Sequence, residues 1–460
     1  MTHIQPRFGI AALLAALLVS TSAQSAARGP AATASTPAAG SDAEAIKPAL
    51  SSQAQDIYGR TRQKLVQIRT LLKTQESQSG VGSGFLVSEE GHLITNYHVV
   101  SQFALRPDRS RLVYVTDDGQ QGPLQLLAVD VVNDLALVKP AKAGELTGRG
   151  AIAFRPASQP LPRGARVYSL GNPLDVGFTV NEGANNGLVE RSFVPRLFFG
   201  GAISAGMSGG PALDEQGRLI GVNVSKNMGG EQVSFLVPAA NAEALLASGR
   251  RASPITQPAY PTLTTQLMGY QEQLTERFLA LPWRSAGDAH YGIPVPQEQF
   301  MRCWGQGSRG EAKQTLLYER SDCNMESQIY IGESLMVGFI SARHEVYDGS
   351  KIGAWRFAQR HSASFSNENF GVRTPQLTGP TCTEGTITRD GLPLRAVVCL
   401  QAYKKFAGLY KLGVLVATLD QSDAGAQGRF DAAGVSFANA MRLTQYYLAG
   451  FRWITPPASR

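Results

Sequence analysis

A short loop of small residues in the middle of the chain is the best candidate for carrying a nucleophile. Residues 206–211 read Gly-Met-Ser-Gly-Gly-Pro, a run that suits a tight turn better than a helix or a strand. Glycine lets a ligand approach the backbone closely, so such a loop can direct consecutive N–H groups at one anionic point. We therefore predict that Ser208 is a nucleophile and that the N–H groups of Gly206 and Ser208 form an oxyanion hole.

Two upstream residues have the chemistry that such a nucleophile needs, because a serine hydroxyl reacts only with a base beside it. His98, within Leu-Ile-Thr-Asn-Tyr-His-Val-Val, can take and return a proton, since an imidazole titrates at about 6.5. Asp134, within Val-Val-Asn-Asp-Leu-Ala-Leu-Val, can fix the imidazole tautomer and stabilise the imidazolium. Each residue alone would be a turn or structural residue; the prediction rests on the order His, Asp, Ser, one of the known orders of a serine triad.

The sequence around these three residues resembles that of the trypsin-like serine proteases. Thr-Asn-x-His-Val-Val, Asn-Asp-Leu-Ala-Leu-Val and Gly-Met-Ser-Gly-Gly-Pro look like three signatures of that family, and Gly-Ser-Gly-Phe (82–85) and Gly-Asn-Pro (171–173) resemble its HtrA/Deg branch. The resemblance covers residues 65–245. It implies an all-β, chymotrypsin-like double barrel that hydrolyses peptide bonds in protein or peptide substrates.

The same resemblance places Ile203, five residues before Ser208, in the wall of the primary specificity pocket. Its neighbours Ala202 and Ser204 carry no charge, so we expect an aliphatic side chain at P1, the residue before the scissile bond. Discrimination at the scale of a methylene is worth about 1–3 kcal/mol, so specificity should be loose. The alternative is that Ile203 belongs to the hydrophobic core.

The elements that must position these residues are short strands. Residues 84–237 contain many such strands, separated by turns rich in Gly, Asp and Pro, which favours an all-β sandwich or barrel. The resemblance selects the double barrel. His98 is expected at the end of a strand, and residues 241–246 are predicted to form the short helix that closes the domain.

The C-terminal region predicts a separate α+β domain. Apolar residues at helical spacing predict a helix from Leu263 to Phe278, residues 326–418 predict antiparallel strands, and residues 432–451 predict a closing helix. HtrA/Deg proteins usually carry a PDZ domain here, but no carboxylate-binding loop of that kind is evident, and the region resembles no family.

All four cysteines lie in this region, and an even number in an exported chain favours disulfide bonds. Asp390-Gly391 predicts a two-residue hairpin turn, and in that register Cys382 faces Cys399 at a non-hydrogen-bonded pair, within disulfide range. Cys303 and Cys323 then pair by elimination. A zinc site is the alternative, but the chain has no Cys-x-x-Cys pair, and we predict no metal and no cofactor.

The N-terminus resembles an export signal. Arg7 precedes an apolar run and then a stretch of small residues, so residues 1–27 predict a secretory signal peptide cleaved near Ala23 or Ala27. The predicted domains are then a flexible tether with a short helix (28–60), a protease domain (61–250), a linker (251–261) and the C-terminal domain (262–460). No other stretch is long and apolar enough to span a membrane, so the mature protein is expected in the periplasm or outside the cell.

Composition narrows the function classes further. The chain is 43% hydrophobic and 17% charged, enough to bury a core, and its net charge of +7 over 460 residues includes no block of Lys and Arg. We therefore expect no nucleic-acid partner. Two functions stay open: an exported serine endopeptidase for unfolded or peptide substrates, and a binding or adaptor protein that uses the protease fold as a scaffold while the C-terminal domain recognises the partner.

Overall fold

Two closed β-barrels occupy the N-terminal half of the chain. They are seen in a computed structural model that describes residues 51–226, 232–286, 290–308, 316–332, 335–366 and 368–454. Each barrel has six antiparallel strands, so the expected double barrel is confirmed. The predicted signal peptide and most of the predicted tether lie outside the described residues.

The first barrel closes in the strand order β1-β2-β3-β6-β5-β4. Its elements are α1 (Ser52–Thr61), β1 (Leu65–Leu72), β2 (Gln78–Leu86), β3 (Leu93–Thr95), α2 (Tyr97–Leu105), β4 (Ser110–Thr116), β5 (Gln121–Asp130) and β6 (Leu135–Pro140). Helix α2, which was not predicted from the sequence, buries Val99, Val100 and Ala104. His98 therefore lies in the first turn of a helix, and its expected position at a strand end was wrong.

The second barrel closes in the order β10-β11-β12-β9-β8-β7. Its elements are β7 (Arg166–Gly171), β8 (Thr179–Leu188), β9 (Leu197–Gly200), β10 (Pro211–Leu213), β11 (Leu219–Lys226) and β12 (Ser234–Pro238), followed by α3 (Ala239–Gly249). A hydrophobic cluster between the barrels includes Phe85, Ile94, Leu170 and Val222, all fully buried. This packing fixes the two barrels against each other, and the candidate nucleophile and base come from opposite barrels.

The C-terminal region is built around a seven-stranded antiparallel sheet in the order β15-β16-β19-β23-β22-β21-β20. Its elements are α4 (Tyr260–Leu279), β13 (Arg284–Ala286), β14 (Tyr291–Val295), β15 (Met301–Gly307), β16 (Leu317–Met325), β17 (Ile329–Gly332), β18 (Leu335–Val337), β19 (Phe339–Asp348), α5 (Ala354–Ser366), β20 (Thr381–Arg389), β21 (Leu392–Ala402), β22 (Leu409–Thr418), β23 (Ala424–Ser436), α6 (Phe437–Ala449) and β24 (Arg452–Trp453). The predicted α+β class is confirmed.

Two details of the predicted C-terminal elements were wrong. Helix α5 interrupts the predicted run of strands, and residues 432–436 complete β23, so the closing helix begins at Phe437. Strand β23 pairs with β19 on one side and β22 on the other. This pairing continues the strand through residues 432–436, which had been predicted to begin the helix. Helix α4 buries Leu263, Leu267 and Phe278 at the predicted spacing.

Two disulfide bonds lie at opposite edges of this sheet. Cys303 and Cys323 join β15 to β16, with their Cα atoms 3.9 Å apart. Cys382 and Cys399 join β20 to β21, with a Cα separation of 4.1 Å, in the register that the Asp390-Gly391 turn predicts. Each bond therefore fastens an edge strand to its only neighbour in the sheet.

One hydrophobic cluster runs from the first barrel into the C-terminal region. It joins Ile68 and Tyr97 of the first barrel to Leu263 and Phe430, all fully buried. Gln266 of α4 also accepts a hydrogen bond from the Val131 N–H, over 2.8 Å. The barrels and the C-terminal sheet are thus parts of one compact unit. No helix in the described ranges has the length and hydropathy required to cross a membrane.

Candidate active site

His98 and Asp134 are brought together by the start of α2 and the turn between β5 and β6. Strand β3 leads into Asn96, the N-cap of α2, and His98 follows in the first helical turn. Asp134 lies in the tight turn between β5 and β6 with φ of +61°, a conformation that aspartate adopts more readily than most residues. The Asn96 side chain donates to the Asp134 carbonyl over 2.8 Å, which ties the turn to the helix start.

Both oxygens of the Asp134 carboxylate are directed at His98. Oδ1 accepts the backbone N–H of His98 over 2.9 Å, and Oδ2 lies 2.7 Å from the Nδ1 of the imidazole. An ionised carboxylate can only accept, so Nδ1 carries the proton and the lone pair of a neutral His98 is at Nε2. The pair therefore has the tautomer that a general base requires.

The pKa of His98 reflects two opposing effects. Burial acts to lower it, because a charged imidazole loses hydration, while the charge and the hydrogen bond of Asp134 act to raise it. The effects of Asp134 together prevail, and the pKa of His98 lies above its ordinary value. The carboxylate thus favours the imidazolium that would form when the base accepts a proton.

Ser208 lies in the turn before β10, and a network of backbone contacts holds that turn. Its carbonyl accepts the N–H of Ser83 over 2.7 Å, and the next N–H, of Gly209, donates to the Asn223 carbonyl over 2.9 Å. The Ser83 hydroxyl donates to the Gly206 carbonyl over 2.7 Å and accepts the Asn172 N–H over 2.9 Å. Sequence reasoning quoted Ser83 only within a family signature and missed this role, because the partners are far away along the chain.

The backbone before Ser208 leaves two N–H groups available. Gly206 has φ of +92°, and a Cβ there would lie 2.4 Å from the Asn172 carbonyl oxygen, so only glycine fits. The preceding carbonyl, of Ala205, accepts the Leu174 N–H over 2.8 Å. Among the described residues, neither the Gly206 N–H nor the Ser208 N–H has an acceptor. Two free donors two residues apart are what an oxyanion would need.

The Ser208 hydroxyl is not bonded to His98 in this structure. It donates instead to the Val224 carbonyl over 3.4 Å, longer than an ordinary O–H···O bond. No hydrogen bond joins it to the imidazole among the described residues. Catalytic hydrogen bonds are often loose without substrate and tighten when it binds.

Ile203 is 4% exposed and packs in a core cluster with Phe199 and Met207 behind the serine loop. It is not among the residues that line the cavity beside His98. Within the described ranges, no group of three or more His, Cys, Asp or Glu side chains is arranged to hold a metal ion.

A cavity of about 400 Å³ lies beside His98, with walls from both halves of the chain. The barrels contribute His98, Val131, Val132, Asp134, Ser192, Val194, Arg196 and Val224. The C-terminal region contributes Tyr270, Ser327, Gln328, Ile329, Tyr330 and Met336. This second wall was not predicted from the sequence.

Part of the chain matches a family of known proteins. Residues 82–222 match the family model described as a trypsin-like peptidase domain.

Among curated proteins, the chain is similar to a probable periplasmic serine endoprotease DegP-like of Bartonella henselae, with 31% identity over 169 residues, covering 35% of this chain and 32% of the relative. A protein of the same name from Chlamydia pneumoniae is 32% identical over 182 residues, covering 38% and 35%. Serine protease HTRA1 of Xenopus tropicalis is 32% identical over 172 residues, covering 36% and 35%. The chain thus spans about a third of the length of these relatives.

Among solved structures, the serine endoprotease from Yersinia pestis matches with a TM-score of 0.37 and 23% identity. The match covers 44% of this chain and 68% of that one.

Proposed function

We propose that this protein is an exported serine endopeptidase that cleaves unfolded proteins or peptides. Ser208 is the nucleophile, His98 the general base and Asp134 the residue that orients the base. The observation that supports the proposal is the contact of Asp134 with His98, 2.7 Å at Nδ1, together with the N–H groups of Gly206 and Ser208, which have no acceptor among the described residues. The names of the similar proteins, all serine proteases, support the same reaction.

The reaction would proceed through an acyl-enzyme. His98 Nε2 takes the proton of the Ser208 hydroxyl as its oxygen attacks the scissile carbonyl, and the N–H groups of Gly206 and Ser208 stabilise the oxyanion. The imidazolium, stabilised by Asp134, then gives its proton to the leaving amine. Water, activated by the same base, releases the acid product and restores the serine.

An aliphatic P1 residue is part of the proposal. Lys or Arg at P1 would bring an unpaired charge against the uncharged residues around Ile203, at a cost of several kcal/mol if it stayed unsolvated. Sequencing the fragments of a digested unfolded protein tests this preference. Cuts should cluster after Val, Ala and Leu, and a dominant basic or acidic P1 would contradict the pocket assignment.

Export rests on the predicted signal peptide and is supported by two relatives named as periplasmic. Mass spectrometry of protein secreted from a bacterial host should find a mature N-terminus just after Ala23 or Ala27. Retention of Met1 in an exported fraction would contradict the signal assignment.

A scaffold without catalysis is the second candidate, and the specific observation that favours it is the Ser208 hydroxyl bonded to Val224 instead of His98. Incubation with casein decides between the two. An endopeptidase degrades casein in the wild type and not in Ser208→Ala, whereas a scaffold leaves casein intact in both.

A further inference from the structure

The cavity beside His98 has a C-terminal wall that is held firmly in place. Strand β17 is anchored to α2, because the buried Tyr97 hydroxyl, one residue before His98, donates to the Ile331 carbonyl over 2.8 Å. The Tyr270 hydroxyl of α4 donates to the Gly338 carbonyl, just after β18, over 2.8 Å. Between these anchors, the Tyr330 ring stands edge-on to the His98 ring, with centroids 6.5 Å apart. The C-terminal wall is therefore a fixed part of the cavity beside His98.

One charged group in this cavity lacks an ionic partner. Arg196 follows the turn between β8 and β9, and its hydrogen bond within the described chain is to the carbonyl of its neighbour Pro195, over 3.2 Å. No carboxylate lies within ion-pair distance of it among the described residues. Most of the donors of its guanidinium fork are therefore unused.

The two carboxylates that act on the charge of Arg196 accept hydrogen bonds from other residues. Asp134 is occupied by His98, and Asp130 accepts the backbone and side-chain N–H groups of Asn133 over 3.0 and 2.7 Å. Burial lowers the pKa of Arg196, while these two carboxylates, with Tyr270, act to raise it. They act on the charge of the guanidinium without accepting its hydrogen bonds.

A second unsatisfied group comes from the opposite wall. The Ser327 hydroxyl oxygen is buried and has no hydrogen-bond partner among the described residues. A buried polar group without a partner is costly, so a ligand that supplies an acceptor recovers free energy at Ser327. The half-buried Arg196 offers its unused donors to the same ligand. The lining also includes apolar residues, among them Val194 and Ile329, that suit the methylene groups of a side chain.

We propose that this cavity is a substrate subsite, built by both halves of the chain, which takes an acidic side chain of the peptide on the guanidinium of Arg196. A carboxylate matches the planar fork of arginine with two parallel hydrogen bonds, which a single amide oxygen cannot do. An extended peptide advances about 3.3 Å per residue, so an occupant beside His98 comes from within about three residues of the scissile bond. The inference rests on the proposed peptidase activity and adds to it a preference set partly by the C-terminal region.

Matched peptides test the subsite with the full-length wild-type protein. Each peptide keeps one aliphatic P1 residue and carries Glu, Gln or Lys, in turn, at each of the neighbouring positions. At one position we expect kcat/KM to be about tenfold higher for Glu than for the isosteric Gln, and lowest for Lys. Cleavage with no preference for Glu over Gln at any position would overturn the subsite and leave the peptidase intact. Failure to cleave any peptide, or casein, would overturn both.

Two arginine variants test whether Arg196 causes the preference for Glu over Gln. Arg196→Gln should reduce the ratio of kcat/KM for the Glu peptide to that for the Gln peptide to about one. Arg191→Gln removes an exposed arginine from the same turn, outside the cavity, and should leave the ratio unchanged. Equal loss in both variants would contradict a subsite at Arg196. If Arg196→Gln fails to fold, Ser327→Ala serves instead and should lower the ratio by about threefold.

Discussion

The double barrel and the C-terminal sheet are both antiparallel β structures, but they use their backbones differently. In the barrels, the candidate site lies where the backbone is irregular, at Gly206 with φ of +92° and Asp134 with φ of +61°. In the sheet, β19 and β23 pair without a bulge over ten residues, and a disulfide fastens each edge. Irregular turns position reactive groups, whereas a regular sheet provides a rigid support.

The β17–β18 pair is one of the places where the two regions meet. It lies outside the seven-stranded sheet, and its Tyr330 faces His98. We therefore predict that substitutions in the barrel turns abolish peptide hydrolysis and lower the free energy of unfolding only slightly. Substitutions in the sheet should lower stability and change activity only as far as they disturb the β17–β18 pair.

The largest effect is expected from the triad. Ser208→Ala, His98→Ala and Asp134→Ala should each lower kcat by about 10⁴–10⁶, and double variants should be little worse, since the three residues act as a unit. Thermal unfolding should stay near that of the wild type. Ser248→Ala, a surface serine of α3, is the control and should keep full activity. Full activity in Ser208→Ala would refute the assignment.

The next effect concerns the oxyanion donors. Gly206→Ala would place a Cβ 2.4 Å from the Asn172 carbonyl oxygen, so the loop must shift and lose its donor geometry. We expect kcat to fall by about 10²–10³. Gly217→Ala also has positive φ, of +77°, but no atom lies within 4 Å of its Cβ. This control should show a similar backbone penalty with unchanged kcat, and equal kcat in both variants would contradict the role of Gly206.

The two disulfide bonds test the structural role of the C-terminal sheet. Replacing either pair by serines should lower the free energy of unfolding by about 2–4 kcal/mol, measured by urea denaturation. Cys303–Cys323 holds β16, which leads directly into β17, so its loss should also raise KM for peptides. Loss of Cys382–Cys399, at the far edge of the sheet, should leave KM unchanged. The reverse pattern would show that the sheet does not support the cleft as described.

The smallest effect is a pH dependence of stability at Glu298, which is 5% exposed and has one carboxylate oxygen without a partner among the described residues. Burial raises its pKa to about 7, against the opposing effect of two backbone N–H groups. A raised pKa means that its contribution to stability is fully present below the unfolded value of about 4.3 and is lost as pH rises through about 7. The midpoint of thermal unfolding should therefore decrease less over this pH range in Glu298→Gln than in the wild type.

The control for this prediction is Glu243→Gln, an exposed glutamate of α3. It should leave the pH dependence unchanged. An unaltered slope in Glu298→Gln would contradict the burial of an uncompensated carboxyl group at that position.

Local signals explain what the sequence could predict. The residues around His98, Asp134 and Ser208 form short contiguous signatures, and the Asp390-Gly391 turn sets a hairpin register by itself. The helical spacing of α4 is likewise contained in one segment.

What escaped prediction depends on packing between distant segments. Helix α2 forms because the first barrel and the C-terminal region bury its apolar residues, not because its β-branched valines favour a helix. The contact of Tyr330 with His98 joins residues far apart in sequence, and no local sequence pattern predicts it. How far the Arg196 side chain is exposed likewise depends on packing between distant segments.

A serine-directed fluorophosphonate tests the central claim most directly, since it reacts rapidly only with a hydroxyl that a base activates and that oxyanion donors face. Intact-mass and peptide mapping should find one adduct per chain, on Ser208, in the wild type. Ser208→Ala and His98→Ala should remain unlabelled under the same conditions. A wild type that stays unlabelled, or an adduct on another serine, would contradict the account of this site as a working triad.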